Sequence, residues 1–127
     1  MPKILIVDDD PLIRNLLGQI LEVFEDKGVQ LLNADNGVSA VETIKKERPE
    51  IVFLDVMMPR MNGFEVCDIV KNDLKMKNVN IVMLTAKGQE LDKHKAAAVG
   101  ADFYITKPFN IKELVKKVSE VFSIPLP

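Results

Sequence analysis

Short apolar runs alternate with longer amphipathic segments along the whole chain. The runs at residues 4–7 and 51–54 are continuously apolar, as is typical of strands covered on both faces. Residues 111–122 instead carry apolar side chains at helical spacing. The pattern predicts strands over residues 4–7, 29–33, 51–54, 80–84 and 103–106, and helices over residues 11–25, 37–48, 64–74, 89–99 and 111–122.

Capping residues support several of these boundaries. Asp10 precedes Pro11, which is the arrangement of a helix N-cap followed by proline at the first helical position. Asn36-Gly37 begins the second helix, and Gly100 follows the fourth helix as its C-terminal cap. We therefore interpret Asp10 as a helix cap rather than as a ligand.

Five consecutive strand–helix units predict an α/β fold. Short apolar strands joined by helices favour a parallel sheet with helices on both faces, and right-handed crossovers leave few topologies. The expected architecture is a five-stranded, flavodoxin-like (βα)5 sheet with strand order 2-1-3-4-5. In such sheets, ligands bind outside the carboxyl ends of the strands.

Composition narrows the class of protein. The 127 residues are 47% hydrophobic and 28% charged, which fits one domain, and the net charge of −2 argues against a nucleic-acid binder. The lone cysteine, Cys67, permits no intramolecular disulfide. Neither a signal peptide nor an apolar run of membrane length is present. We expect a cytoplasmic domain that contacts neither nucleic acid nor membrane.

Polar residues stand at the carboxyl ends of four predicted strands. Asp8 and Asp9 follow the first strand, Asp55 the third, Thr85 the fourth and Lys107 the fifth. Because parallel strands end at the same edge, three carboxylates, a hydroxyl and an ammonium are expected to converge.

The charges of this cluster suggest its chemistry. Two like charges about 4 Å apart repel by about 4 kcal/mol at an effective dielectric near 20, so three carboxylates together require protonation, solvation or a counter-cation. Carboxylate oxygens suit Mg²⁺. Asp55 stands alone at the end of a central strand and can act as a nucleophile that forms an acyl phosphate. Thr85 and Lys107 would stabilise the charge of the phosphoryl group.

Each of these residues also has an ordinary structural interpretation. An acidic pair after a strand is commonly a solvated loop, and a lone threonine or lysine is usually structural or solvated. The joint occurrence at four strand ends is what favours a site. We interpret His94 and the lysines between Lys71 and Lys77 as solvated helix residues, and Cys67 as a packing residue.

The first predicted helix has an unusually wide apolar stripe. Its apolar residues cover about 180° of the helix, whereas a helix facing a core typically needs about 100°. Part of the stripe would bind a partner helix, or the helix is seated deeply in the core; the sequence leaves both interpretations open.

Four segments carry a family resemblance. The segments ILIVDDDPLIR, VFLDVMMPRMNG, IVMLTAKG and GADFYITKPF resemble, in order and spacing, the receiver domain of two-component response regulators (CheY-like superfamily). The resemblance implies a receiver domain over residues 1–123, followed by a tail or linker stub over residues 124–127. It implies that Asp55 is the phosphoacceptor and that Asp8, Asp9, Asp55 and the backbone carbonyl of Met57 bind Mg²⁺, or Mn²⁺ in its place.

The resemblance also assigns a switch and partners. Thr85 resembles the family's switch hydroxyl, Lys107 its phosphate-contacting lysine, and Tyr104 the aromatic residue whose rotamer follows the switch. The Lys107–Pro108 bond is expected to be cis. The phosphodonor would be a sensor histidine kinase or a phosphotransfer protein. The output would be a downstream protein or a fused effector domain that reads the face of helix 4, strand 5 and helix 5. The domain would be a monomer or a phosphorylation-dependent dimer, and would catalyse only its own phosphorylation and dephosphorylation.

Three other functions compete with this one. In a haloacid-dehalogenase-type phosphatase, Asp8 would be the nucleophile and Asp10 the acid/base, which leaves Asp55 without a role. A flavin carrier shares the layout, but the three aspartates after the first strand would repel the FMN phosphate. A receiver-like module that never accepts phosphate is the third alternative, against which the full set of site residues argues.

Two further side chains bear on the lifetime of a phosphorylated state. By the resemblance, Met57 and Lys87 flank the path of the hydrolytic water. A thioether positions water poorly and an ammonium cannot act as a general base. We therefore expect slow autodephosphorylation; the alternative is that both side chains point into solvent and the rate is ordinary.

Overall fold

The computed structural model describes residues 1–85 and 93–125, apart from the side chain of Lys93. Its strands are β1 (Lys3–Val7), β2 (Gln30–Ala34), β3 (Ile51–Asp55), β4 (Asn80–Thr85) and β5 (Phe103–Thr106). Its α-helices are α1 (Pro11–Glu25), α2 (Gly37–Glu47), α3 (Gly63–Asp68), α4 (Lys93–Val99) and α5 (Ile111–Phe122).

All five strands pair in parallel in the order β2-β1-β3-β4-β5, which confirms the predicted topology. The first four residues of the predicted fourth helix, 89–92, lie outside the described part of the chain. No helix among the described residues is both long and apolar enough to cross a bilayer.

The sheet separates two apolar layers. Successive side chains of a strand point to opposite faces, so Val52 and Leu54 of β3 pack with α2, α3 and α4, while Ile51 and Phe53 pack with α1 and α5. All four side chains are fully buried. Burial on both faces explains why β3 reads as a continuous apolar run.

Helix ends follow the predicted caps. The Asp10 carboxylate accepts a hydrogen bond of 2.9 Å from the backbone N–H of Leu12, so Asp10 caps α1 as expected. Asn36 caps α2 through the N–H of Ser39. Gly100 has φ of +90° after α4, a conformation that glycine adopts without strain.

The third helix differs from the prediction. The apolar spacing predicts an α-helix over residues 64–74, but α3 ends at Asp68 and continues as a π-helical turn, Ile69–Asp73. In this turn the N–H of Leu74 donates to the carbonyl of Ile69 at 2.8 Å. The spacing of apolar residues over a single turn does not distinguish the two helix types.

The turn carries a buried lysine, although the sequence predicts a solvated one. Lys71 is only 3% exposed. Its ammonium lies 2.8 Å from Oδ2 of Asp102 and donates to the carbonyl of Lys77 at 3.1 Å. Asp102 also accepts from the N–H of Ile81 at 2.8 Å. The prediction for Lys71 is therefore wrong, because a charge elsewhere in the sequence compensates its burial.

Candidate functional site

Strand register brings the polar strand ends to one edge of the sheet. Val7 pairs with Leu54, so Asp8 and Asp55 follow neighbouring positions in β1 and β3. Thr85 pairs with Thr106 across β4 and β5, and Lys107 comes next in the chain. The predicted convergence of these residues follows directly from the parallel ladder.

Three carboxylates form the centre of this edge. Asp8 is 1% exposed and Asp55 is 5% exposed, whereas Asp9 lies at the surface. One oxygen of each carboxylate lies within 4.8 Å of the others. Three hard oxygen donors this close together suit a divalent cation such as Mg²⁺.

Lys107 is the cation that the chain itself supplies. Its Nζ lies 3.0 Å from Oδ2 of Asp8 and 3.5 Å from Oδ1 of Asp55. One ammonium therefore bridges the two buried carboxylates. Because it carries a single charge against three, the cluster keeps an excess of negative charge that a metal would neutralise.

The pKa values of the cluster reflect this imbalance. Burial and the charge of Asp8 raise the pKa of Asp55 to about 6, although Lys107 and the backbone N–H of Met57 oppose the shift. For Lys107, burial alone would lower the pKa. The hydrogen bond from Lys107 to Asp8 and the charges of Asp55 and Asp8 together outweigh burial, so the pKa of Lys107 is raised.

Backbone groups orient the carboxylates. The N–H of Met57 donates to Oδ1 of Asp55 at 3.2 Å, and the N–H of Asp10 donates to Oδ1 of Asp8 at 2.9 Å. The Met57 backbone thus lies beside Asp55, while its side chain is largely exposed. Lys87, the second residue that we expect to influence hydrolysis, lies outside the described residues.

Of the predicted switch residues, Thr85 ends β4 at this edge and Tyr104 lies two residues before the end of β5, and neither belongs to the acidic cluster. Thr85 is 5% exposed, and its hydroxyl donates to the hydroxyl of Thr106 at 3.4 Å. Tyr104 is 38% exposed, and its ring stacks on that of Phe103. The Lys107–Pro108 bond is cis, as expected.

Three contacts at this edge are not predicted from the sequence. Arg14 donates from Nη1 to the carbonyl of Asp8 at 2.6 Å. Thr106 bonds the Thr85 hydroxyl. Gly63 packs so tightly that a Cβ there would lie 2.5 Å from the carbonyl oxygen of Asp55. Of the three, only Gly63 has a sequence signal, because the Asn-Gly pair marks the start of α3. That signal predicts the turn and not the contact between Gly63 and Asp55.

Comparison with known proteins decides the family. The model of the response regulator receiver domain matches residues 4–119. The chain belongs to this family. Receiver domains act in two-component signal transduction, as signalling domains rather than as classical enzymes, and they generally bind Mg²⁺. This membership removes the phosphatase and the flavin carrier as alternatives.

Relatives of this receiver domain support the assignment. It is 37% identical over 118 residues to the DNA-binding dual master transcriptional regulator RpaA of Synechocystis, and the match covers 93% of this chain and 48% of RpaA. The chain spans about half the length of RpaA and of several other curated relatives that it matches.

Solved structures of receiver domains share the fold. The chemotaxis protein CheY4 of Vibrio cholerae is 35% identical in sequence and superposes with a TM-score of 0.82. The superposition covers 95% of this chain and 98% of the CheY4 chain. The receiver domain of Ssk1 from Saccharomyces cerevisiae, solved together with the histidine phosphotransfer protein Ypd1, is 30% identical. It superposes with a TM-score of 0.81, and the superposition covers 94% of this chain and 87% of the Ssk1 chain.

Proposed function

We propose that this receiver domain is a phosphorylation-activated switch whose phosphoacceptor is Asp55. The observation that carries the proposal is the convergence of Asp8, Asp9, Asp55 and Lys107 at one sheet edge. A buried carboxylate among other carboxylates, bridged by a lysine, is costly for a protein that only has to fold. The arrangement is useful when it receives a cation and a phosphoryl group.

The carboxylates of Asp8, Asp9 and Asp55 would hold Mg²⁺, or Mn²⁺, together with the backbone carbonyl of Met57. Their mutual proximity and the raised pKa of Asp55 fit a site completed by a divalent cation. When bound, the metal supplies positive charge opposite the developing negative charge of the phosphoryl oxygens. Metal binding would also keep Asp55 ionised at neutral pH.

Asp55 would act as the nucleophile through its second carboxylate oxygen. Within the described part of the chain, the hydrogen bonds to Asp55 from Met57 and Lys107 both end on Oδ1. Oδ2 would attack phosphorus, form the P–O bond and break the P–N bond of a phosphohistidine, whose ring nitrogen keeps the electron pair. Lys107, held 3.5 Å from Oδ1, would contact a phosphoryl oxygen.

The switch would run from Thr85 to Tyr104. A phosphoryl oxygen would accept a hydrogen bond from the Thr85 hydroxyl, and Tyr104 would turn from exposed toward buried. The result is a shift of population between two states, and its size is set by how much better the phosphoryl group binds one of them. The face of α4, β5 and α5 would change for an output protein or a fused effector domain.

The phosphodonor would be a histidine kinase or a phosphotransfer protein that contacts α1. The wide apolar stripe of α1 is divided in the structure: Leu17 and Leu21 are fully buried, but Leu12 is 75% exposed and Leu16 is 43% exposed. An apolar groove beside Lys107 is lined by Leu16, Ile13, Ile20, Pro108, Phe109 and Ile111. Its position next to the acidic edge suits a helix that presents a phosphohistidine to Asp55.

A small acyl phosphate tests phosphorylation of Asp55 without a partner protein. Incubation with acetyl phosphate and Mg²⁺ should add one phosphoryl group per chain, detected by intact mass. Asp55→Asn should abolish the addition and Asp9→Asn should weaken it. Asp10→Asn is the matched control, because it removes a neighbouring charge yet keeps a good helix cap, and it should react like the wild type.

Two outcomes would contradict the proposal. A full equivalent of phosphate on Asp55→Asn would place the phosphoacceptor elsewhere. Absence of any addition to the wild type would favour a receiver-like module that never accepts phosphate. For the docking surface, Leu12→Glu with Leu16→Glu should slow transfer from a phosphorylated histidine phosphotransfer protein and leave transfer from acetyl phosphate unchanged.

A further inference from the structure

The hydroxyl of Thr85 already has a partner before any phosphoryl group arrives. It donates to Oγ1 of Thr106 at 3.4 Å. A hydroxyl has one proton to donate, so the same proton cannot serve Thr106 and a phosphoryl oxygen at the same time. Engagement of a phosphoryl group by Thr85 therefore requires that this bond be given up.

The backbone makes the pairing of the two threonines a fixed feature of the sheet. Thr85 and Thr106 are register partners across β4 and β5, and the N–H of Lys107 donates to the carbonyl of Thr85 at 2.6 Å. Side chains of directly opposed residues in neighbouring strands lie on the same face. Thr106 also shares its face with Tyr104, two residues earlier in β5. It thus adjoins both residues of the proposed switch.

We propose that Thr106 is a positioning residue that holds the Thr85 hydroxyl in a resting orientation and so sets how readily the switch engages. This inference rests on the proposed function, because it assumes that Thr85 binds the phosphoryl group. Thr106 itself touches neither the acidic cluster nor the reacting atoms in this assignment. Its effect acts entirely through the Thr85 hydroxyl.

The strength of the bond sets the size of the effect. An O–H···O hydrogen bond is typically about 2.7–2.8 Å long, so a 3.4 Å bond is a weak one. A bond to a charged phosphoryl oxygen is roughly twice as strong as a neutral one, and would displace it. Loss of the Thr106 hydroxyl would leave Thr85, which is 5% exposed, poorly satisfied in the resting state. We expect the switch to engage about two- to fivefold more readily.

The test measures affinity for beryllofluoride, a phosphoryl mimic, at saturating Mg²⁺ in an NMR titration. Thr106→Val keeps the shape and the strand propensity of threonine at an exposed edge position, so folding is preserved. Thr106→Val should bind the mimic about two- to fivefold more tightly than the wild type, because the resting state has lost its hydrogen bond. Thr106→Ser, which restores a hydroxyl, should return the affinity to the wild-type value.

The decisive control removes the hydroxyl on which Thr106 is proposed to act. In a Thr85→Val background, Thr106→Val should not change the affinity for beryllofluoride measurably. Unchanged or weaker affinity of Thr106→Val, or the same gain in the Thr85→Val background, would overturn the inference while the wild type still bound the mimic. A wild type that did not bind beryllofluoride at Asp55 would overturn the proposed function, and the inference with it.

Discussion

The ammonium of Lys71 lies 2.8 Å from the carboxylate of Asp102, at the end of the sheet opposite the acidic edge. Lys71 belongs to the π-helical turn after α3, and Asp102 immediately precedes β5. Since Asp102 also binds the N–H of Ile81, the pair joins the turn to the start of two strands. This ion pair is a structural link, separate from the proposed chemistry.

The two halves of this ion pair should respond differently to removal. Asp102→Asn leaves the ammonium, whose side chain is 4% exposed, with neutral partners only, and should lower the free energy of unfolding by about 2–4 kcal/mol. Lys71→Met leaves a carboxylate that is 34% exposed and still accepts from Ile81, and should cost about 1 kcal/mol or less. Urea unfolding measures the loss of free energy of unfolding in each variant. Equal losses, or a greater loss for Lys71→Met, would refute the asymmetry.

The pKa of Asp55 predicts an unusual dependence of stability on pH. Because the folded pKa of about 6 exceeds the unfolded value of 3.8, the folded state binds more protons between these values, and stability falls as pH rises through this window. The Asp55→Asn variant has no carboxyl group at this position and should lose this dependence on pH. Without Mg²⁺, the variant should be more stable than the wild type by about 1–3 kcal/mol at pH 7.5, and the two should be equally stable below pH 4. Thermal unfolding with a chelator at both pH values checks this; a difference independent of pH would contradict it.

Gly63 should tolerate no side chain. A Cβ there would meet the carbonyl oxygen of Asp55 at 2.5 Å and Cα of Val56 at 2.9 Å, and both are backbone atoms. Gly63→Ala should therefore lose about 1–3 kcal/mol of stability and slow phosphorylation by acetyl phosphate, because the Asp55 backbone must shift.

A matched glycine substitution controls for this change. Gly18 lies within α1, and a Cβ added there would have no atom within 4 Å among the described residues. Gly18→Ala should stabilise the protein by about 0.5–1 kcal/mol through helix propensity. Its phosphorylation rate should match that of the wild type. Similar behaviour of the two variants would show that the contact with Asp55 has no consequence.

The phosphorylated state should decay slowly. Met57, a residue that is 59% exposed, offers only a weakly accepting thioether to orient water, and Lys87 cannot act as a base. Met57→Asn combined with Lys87→Glu should accelerate loss of the phosphoryl group, followed by intact mass after removal of acetyl phosphate. A double variant that decays no faster than the wild type would refute the argument.

Sequence periodicity predicts the sheet because β3 is buried on both faces and the helices cap cleanly at Asp10, Asn36 and Gly100. It predicts the acidic edge because parallel strands end together, and the predicted strand order, in which β1 pairs with β3, places Asp8 beside Asp55.

Pairings between side chains that are distant in sequence cannot be predicted from periodicity or strand order. Lys71 is buried because Asp102, 31 positions later, supplies its counter-charge, and the register that unites them is a property of the folded chain. Thr106 looks like any exposed strand residue until β4 places the Thr85 hydroxyl beside it. The π-helical turn at Ile69–Asp73 likewise has no counterpart in the apolar spacing, which is the same as that of an α-helix.

The contact between Asp8 and Lys107 joins residues 99 positions apart in a chain of 127 residues. During synthesis, the first strand leaves the ribosome long before this lysine has been translated. A nascent chain that ends anywhere before β5 carries its carboxylates without the ammonium that bridges them. Under the proposed function, Asp55 would therefore accept a phosphoryl group only after Lys107 has been added behind β5.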